Sequence, residues 1–356
     1  MSGIAGILRR DGAPVPEKWG HLLEQSLLFG GNSTFRFEDS VPVERGDLHI
    51  LLLSCSDSMA SESSERLALD GDIEGECSYA RWNEETLELE LGRKGMGQRA
   101  LYWFDLADAG DGLLFCSNPL PLLQIARELE LSSENLIQGV QEFLQLGFVE
   151  EGGEMLSPIC SMPIQAISQS GSLPSSSFNC SFTTTPVKDV QLLVRVLGTP
   201  FADFDLLSTL QQYRYAKEIG CSVADGLIVP QPKRFFDRFF SVKKEVKEMA
   251  SQRNAARTIE LGAIARYVGI ELSISPDRMR IEPMQFPLAL WLRSPQSTLG
   301  QLVGDTLQSE GAFRDIPVDQ SKCMQMLDAH RDGDADNSRE LFAILTLALW
   351  SQQVHA

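Results

Sequence analysis

The sequence predicts a two-part α+β chain, with a strand-rich N-terminal domain followed by a mostly helical C-terminal one. Three observations point to it. Short apolar stretches separated by Gly and Asp turns fill residues 1–160. Apolar residues at helical spacing dominate from residue 204 onward. Between the two lies "QAISQSGSLPSSSFNCSFTTTPV" (165–187), rich in Ser, Thr and Pro with little periodicity, which reads as a linker. The expected division is therefore 1–163, a linker over 164–190, and 191–356.

Strands are expected at "GIAGILRR" (3–10), "DLHILLLSC" (47–55), "ECSYARW" (76–82), "TLELELGR" (86–93), "RALYWFDL" (99–106) and "GLLFCSN" (112–118). Of these, "TLELELG" alternates leucine and glutamate, the signature of a half-solvated strand. Helices are expected over 119–129 and 132–146, the second capped by Ser132 or Ser133. In the C-terminal part they are expected over 204–218, 235–268, 298–310, 319–331 and 336–354. The basic run over 233–257 mixes signs and apolar residues, and reads as an amphipathic helix packed on the protein. "LFAILTLALWSQ" (341–352) is apolar enough for a core or an interface, so homo- or hetero-oligomerisation stays open.

Composition narrows the function classes. At 356 residues and 43% hydrophobic content the chain can build substantial cores. A formal charge of −18 argues against nucleic acid or an anionic membrane as partner, because both need clustered Lys and Arg. Seven cysteines occur without a CxxC, and no Cys/His spacing matches a zinc site. With no signal peptide and no membrane-length apolar run, a reduced cytoplasmic setting is expected.

The opening "MSGIAGILRRDG", taken with "GECSYARWNEETLELELGRKGMGQRALYWFDLADAGDGLLFCSNPLPLL" (75–123), resembles the glutamine amidotransferase domain of the asparagine synthetase family. "LGTPFADFDLLSTLQQYRYAKEIG" (197–220), "FPLALWLRSPQSTLGQLVGDTLQSEGAF" (286–313) and "MLDAHRDGDADNSRELFAILTLALW" (326–350) resemble that family's ATP-using synthetase domain. The resemblance implies an N-terminal-nucleophile (Ntn) hydrolase-type β-rich domain joined to a reduced adenine-nucleotide α-hydrolase-like one.

The chemistry-bearing positions depart from the family pattern. Ser2 stands where the family has its nucleophilic Cys. A hydroxyl there needs a strong base, such as the α-amine freed by removal of Met1; otherwise Ser2 is a small residue in the vacated place. "LDGDIEG" (69–75) echoes the family's oxyanion-hole loop but offers Asp70 where an Asn donor belongs, although these residues align better with the entry to the next strand. "SGSLPSS" (170–176) is either a degenerate phosphate loop or a chance likeness within the linker. Its Ser170, Gly171, Ser175 and Ser176 agree with the family, while Ser172 replaces a Gly and Pro174 an Asp. In "GCSVADGLIV" (220–229) Asp225 matches one family aspartate, but Ser222 and Gly226 replace two further acids. Lys94 replaces another Asp at a position of structural character.

Three readings follow. In the first, a non-catalytic family member acts as a binding, scaffold or regulatory protein for a protein partner or small molecule, with no cofactor and no metal. In the second, an ATP- and magnesium-dependent amide ligase uses ammonia or an amine. In the third, Ser2 alone serves an Ntn-type amidohydrolase.

Overall fold

A computed structural model describes residues 3–28, 34–43, 46–55, 60–62, 64–72, 74–95, 97–106, 110–131, 136–150, 153–162, 186–218, 223–225, 246–273 and 287–356. It is an α+β structure with a sheet-rich N-terminal region and a helical C-terminal region.

The N-terminal region contains β1 (Ile4–Arg9), α1 (Glu17–Leu27), β2 (Phe35–Val43), β3 (Gly46–Ser54), β4 (Ala60–Glu62), β5 (Glu65–Gly71), β6 (Cys77–Asn83), β7 (Glu88–Lys94), β8 (Tyr102–Asp105), β9 (Gly112–Cys116), α2 (Pro119–Glu128), α3 (Leu136–Leu146) and β10 (Cys160–Ser161). Six strands form one antiparallel sheet in the order β10-β8-β9-β1-β3-β2, and four form a second in the order β4-β5-β6-β7. β1 is central, with Ile4 opposite Ser54 of β3 and Ala5 opposite Cys116 of β9.

Strand periodicity sorts the side chains into two cores. Ile4, Leu8, Ile50, Leu52 and Phe115 meet Ala68, Ala80 and Trp82 of the second sheet. On the other face, Ala5, Ile7, Leu51, Leu53 and Leu114 meet Trp19 and Leu23 of α1 and Leu122 and Ile125 of α2. The first sheet is thus buried on both faces, which explains the unbroken apolar run "HILLLSC".

The C-terminal region contains α4 (Pro186–Leu197), α5 (Asp205–Glu218), β11 (Val223–Asp225), α6 (Val246–Val268), β12 (Glu271–Ser273), α7 (Leu288–Arg293), α8 (Thr298–Gln308), α9 (Gln320–Asp332) and α10 (Ser338–Val354). β11 and β12 pair in parallel, with α6 lying between them in the chain. α10 is buried along most of its length, so the apolar segment is core over 341–351, while Gln352 is exposed. α4 begins at Pro186, so the end of the 164–190 segment is helical; residues 163–185 lie outside the described ones.

The second core runs unbroken from α1 and α2 through α4, α5 and α6 to α10. Polar contacts reinforce the junction. Asn118 caps α2 by accepting from the Leu120 N–H at 2.9 Å, and its Nδ2 donates to the Arg195 carbonyl at 2.9 Å. Gly198 ends α4 at φ +69°, and a Cβ there would stand 2.2 Å from Asn118 Oδ1. The Trp350 indole donates to the Gly198 carbonyl at 3.0 Å. No helix among the described residues is long and apolar enough to cross a membrane.

Candidate functional site

The chain enters β1 between β3 and β9. Here the Cys55 N–H donates to the Gly3 carbonyl at 3.0 Å, and the Ile4 N–H donates to Ser117 Oγ at 3.0 Å. Two thiols sit beside this entrance. Cys55 donates from Sγ to the Leu27 carbonyl at 3.0 Å, and Cys116 lies 3.4 Å from Ser26 Oγ. Burial, aided by the Asp70 carboxylate, pushes the Cys55 thiol up to about 11. Burial also raises Cys116. Both therefore stay as thiols at neutral pH, the form that is a poor nucleophile.

Asp70 occupies the centre of the site. It lies in β5 opposite Ser78, and Gly71 follows at φ +107°, where a Cβ would stand 2.2 Å from the Glu76 carbonyl oxygen. The Gly75 N–H donates to the Asp72 carbonyl at 2.9 Å and β5 pairs antiparallel with β6, in agreement with the strand entry expected there. The Asp70 side chain is fully buried. Its Oδ1 accepts from Arg99 Nη1 at 2.8 Å and its Oδ2 from Arg266 Nη1 at 2.9 Å. Arg99 belongs to the N-terminal region and Arg266 to α6, 196 positions away from Asp70. The backbone seals the same junction: a Cβ on Gly262 of α6 would stand 2.2 Å from the Gln98 carbonyl oxygen. Glu76 completes it, accepting from the Gln98 N–H at 2.5 Å and the Arg99 N–H at 3.3 Å.

A second ionic cluster lies where α5 meets α6. Asp203 Oδ2 lies 2.8 Å from Arg253 Nη2 and 3.2 Å from Arg257 Nη1, and Asp203 Oδ1 accepts from the Asp205 N–H at 3.1 Å. Arg253 also stacks 5.2 Å from the Phe148 ring, which ties the N-terminal region to α6 a second time. Burial works to raise Asp203, but Arg257 and Arg253 outweigh it and hold the carboxyl below its ordinary range. Glu260 is 3.5 Å from Arg253 and 3.7 Å from Arg257; burial dominates there and raises it. Asp205 is pushed up to about 6, by burial first and by Asp203 second.

The sequence-based site residues divide as follows. Ser2, Ser170, Gly171, Ser175 and Ser176 lie outside the described residues. Asp225 ends β11, opposite Ser273 of β12. Asp70 and Lys94 are described; Lys94 Nζ lies 5.5 Å from the Tyr79 ring. Sequence reasoning missed Arg99, Arg266, Arg253 and Arg257. A signal exists for the last two: arginines four apart with Glu260 three further on share one helical face of the run that reads as an amphipathic helix packed on the protein. No protein-family model matches the chain, and no curated protein matches it.

Proposed function

We propose that this chain keeps the scaffold of the asparagine synthetase family without its glutaminase or ATP-dependent synthetase chemistry, and acts by binding a partner. The observation that carries this reading is the double engagement of Asp70. A buried carboxylate between two guanidiniums only accepts hydrogen bonds, so it has no N–H to offer a developing oxyanion. Arg99 and Arg266 in turn spend donors on Asp70 that a substrate carboxylate would need. The position is used to hold the N-terminal sheets to α6. The two stacked antiparallel sheets, with helices on one face, support the finer assignment to an Ntn-type fold. Free thiols at Cys55, Cys77, Cys116, Cys160 and Cys323 fit a reduced cytoplasmic setting.

The purified chain is expected to release no ammonia from glutamine and to show no ATP–pyrophosphate exchange with any amino acid. Ammonia release, or exchange with one amino acid, overturns the proposal.

One observation favours the amide-ligase reading. The parallel β11–α6–β12 unit brings Asp225 to the carboxyl end of its strand, the place where open α/β sheets bind ligands. Magnesium-dependent ATP binding by calorimetry would support that reading. For Ser2, retention of Met1 in the intact mass removes the free amine that an Ntn mechanism requires.

A further inference from the structure

We propose that the outer edge of β7, which takes no further strand among the described residues, is a docking strand for a second copy of this chain, paired antiparallel about a two-fold axis at Leu91. The two sheets present four edges, and three are blunted in ways that natural sheets use against edge-to-edge pairing. β10 has two residues and β4 three. β2 carries Pro42, which has no N–H to give. β7 differs: it runs seven residues without proline, in unbroken register with β6. Among the described strands it pairs with β6 alone.

Its side chains suit a copy of itself. In register with β6, Leu89 lies opposite Trp82 and Leu91 opposite Ala80, so both leucines point to the inter-sheet core, yet they are only half-buried at its rim. Arg93 also points inward, but it is turned back onto the Gly97 and Met162 carbonyls at 2.6 and 3.3 Å. Glu88, Glu90 and Lys94 take the outer face. A two-fold axis at Leu91 sets Leu91 against Leu91 on the core side, with Leu89 against the aliphatic stem of Arg93 to either side of it. On the outer face it sets Glu88 against Lys94, twice by symmetry, and Glu90 against Gly92. No like charges meet. The pairing would join two four-stranded sheets into one and cover the half-buried leucines. A strand pair alone buries less than the roughly 800 Å² per partner of a standard interface, which puts the expected affinity in the micromolar range or weaker.

The test is sedimentation velocity across micromolar concentrations, at physiological salt so that the net charge of −18 is screened. The full chain is expected to show a concentration-dependent dimer. Glu88→Lys alone, or Lys94→Glu alone, replaces two attractive pairs with two repulsive ones and should weaken the dimer about tenfold. The double variant should recover wild-type association, and an equimolar mixture of the two single variants should form the heterodimer. That recovery separates edge pairing from damage to the fold, because neither single variant would be repaired by the other if it were misfolded. A chain that stays monomeric overturns the proposal. So does a dimer indifferent to the reversals, or single variants that fail to complement; an edge that takes a different protein's strand would appear here as the monomer.

Discussion

Replacing Asp70 by Asn removes the charge at the junction and leaves the shape. The Asp70 side chain is 0% exposed, and its two arginine partners are 15% and 10% exposed. Hydrogen bonds to a charged group contribute about 1.5–3 kcal/mol each, and stranding the remaining charge of a buried pair costs about 3–5 kcal/mol. Asn can still accept from one guanidinium, but its Nδ2 then faces the other, donor against donor. Asp70→Asn is therefore expected to destabilise by about 3–5 kcal/mol. Arg266→Ala leaves Asp70 paired with Arg99 and should cost less, about 1.5–3 kcal/mol. Urea unfolding followed by the fluorescence of the five tryptophans measures both. With a slope of about 3 kcal/mol per molar for a chain of this size, Asp70→Asn should lower the midpoint by about 1 to 1.7 M. A drop below about 0.3 M would mean that the clamp adds little, and the account of the junction fails. The same variant is expected to gain no ammonia release from glutamine, since residue 70 lies within the β5–β6 pairing and the arginines still line the site.

Two further outcomes are expected. Asp205 titrates at about 6 in the folded chain against 3.8 ordinarily, so the folded state binds the proton more tightly and stability should rise as pH falls from 7 through 6 towards 4. Asp205→Asn should flatten that rise and stabilise the chain at pH 7 by about 1 kcal/mol, after discounting for partial exposure; differential scanning calorimetry at several pH values checks it. Among the described cysteines, brief iodoacetamide treatment of the native chain should label Cys160, which is exposed, well ahead of the buried Cys55, Cys77, Cys116 and Cys323. Peptide mass spectrometry reads the order, and early labelling of Cys55 would contradict its burial.

Much of the architecture could be read from the chain because local pattern and tertiary environment agree. The strands expected at 3–10, 47–55, 76–82, 86–93, 99–106 and 112–118 appear as β1, β3, β6, β7, β8 and β9. What escaped has physical reasons. β2 ("FRFEDSVPV") is an edge strand whose charges and Pro42 erase apolar alternation. α1 buries only Trp19, Gly20, Leu23 and Leu27, a thin stripe behind Pro16. α4 follows a Thr-rich approach and opens on Pro186, and proline reads as a breaker although it suits a first helical turn. The candidate site was legible only in part. Asp70 stood out by its departure from a family pattern, but its partner Arg266 lies 196 positions on, and no periodicity links residues so far apart. Arg253 and Arg257 fall in a run that reads as an amphipathic helix packed on the protein, but a one-dimensional pattern does not show which of its charges another segment will cover.

α2 has sheet on one side and α10 on the other, with Pro121, Leu122, Leu123, Ile125 and Ala126 enclosed between them. Neither half of the molecule can therefore be discarded without uncovering the other. The C-terminal helices act as roofing, since cutting them away would leave a greasy, aggregation-prone wall where α2 now lies. The two halves are mechanically dependent, so a perturbation that loosens either one is felt by the other.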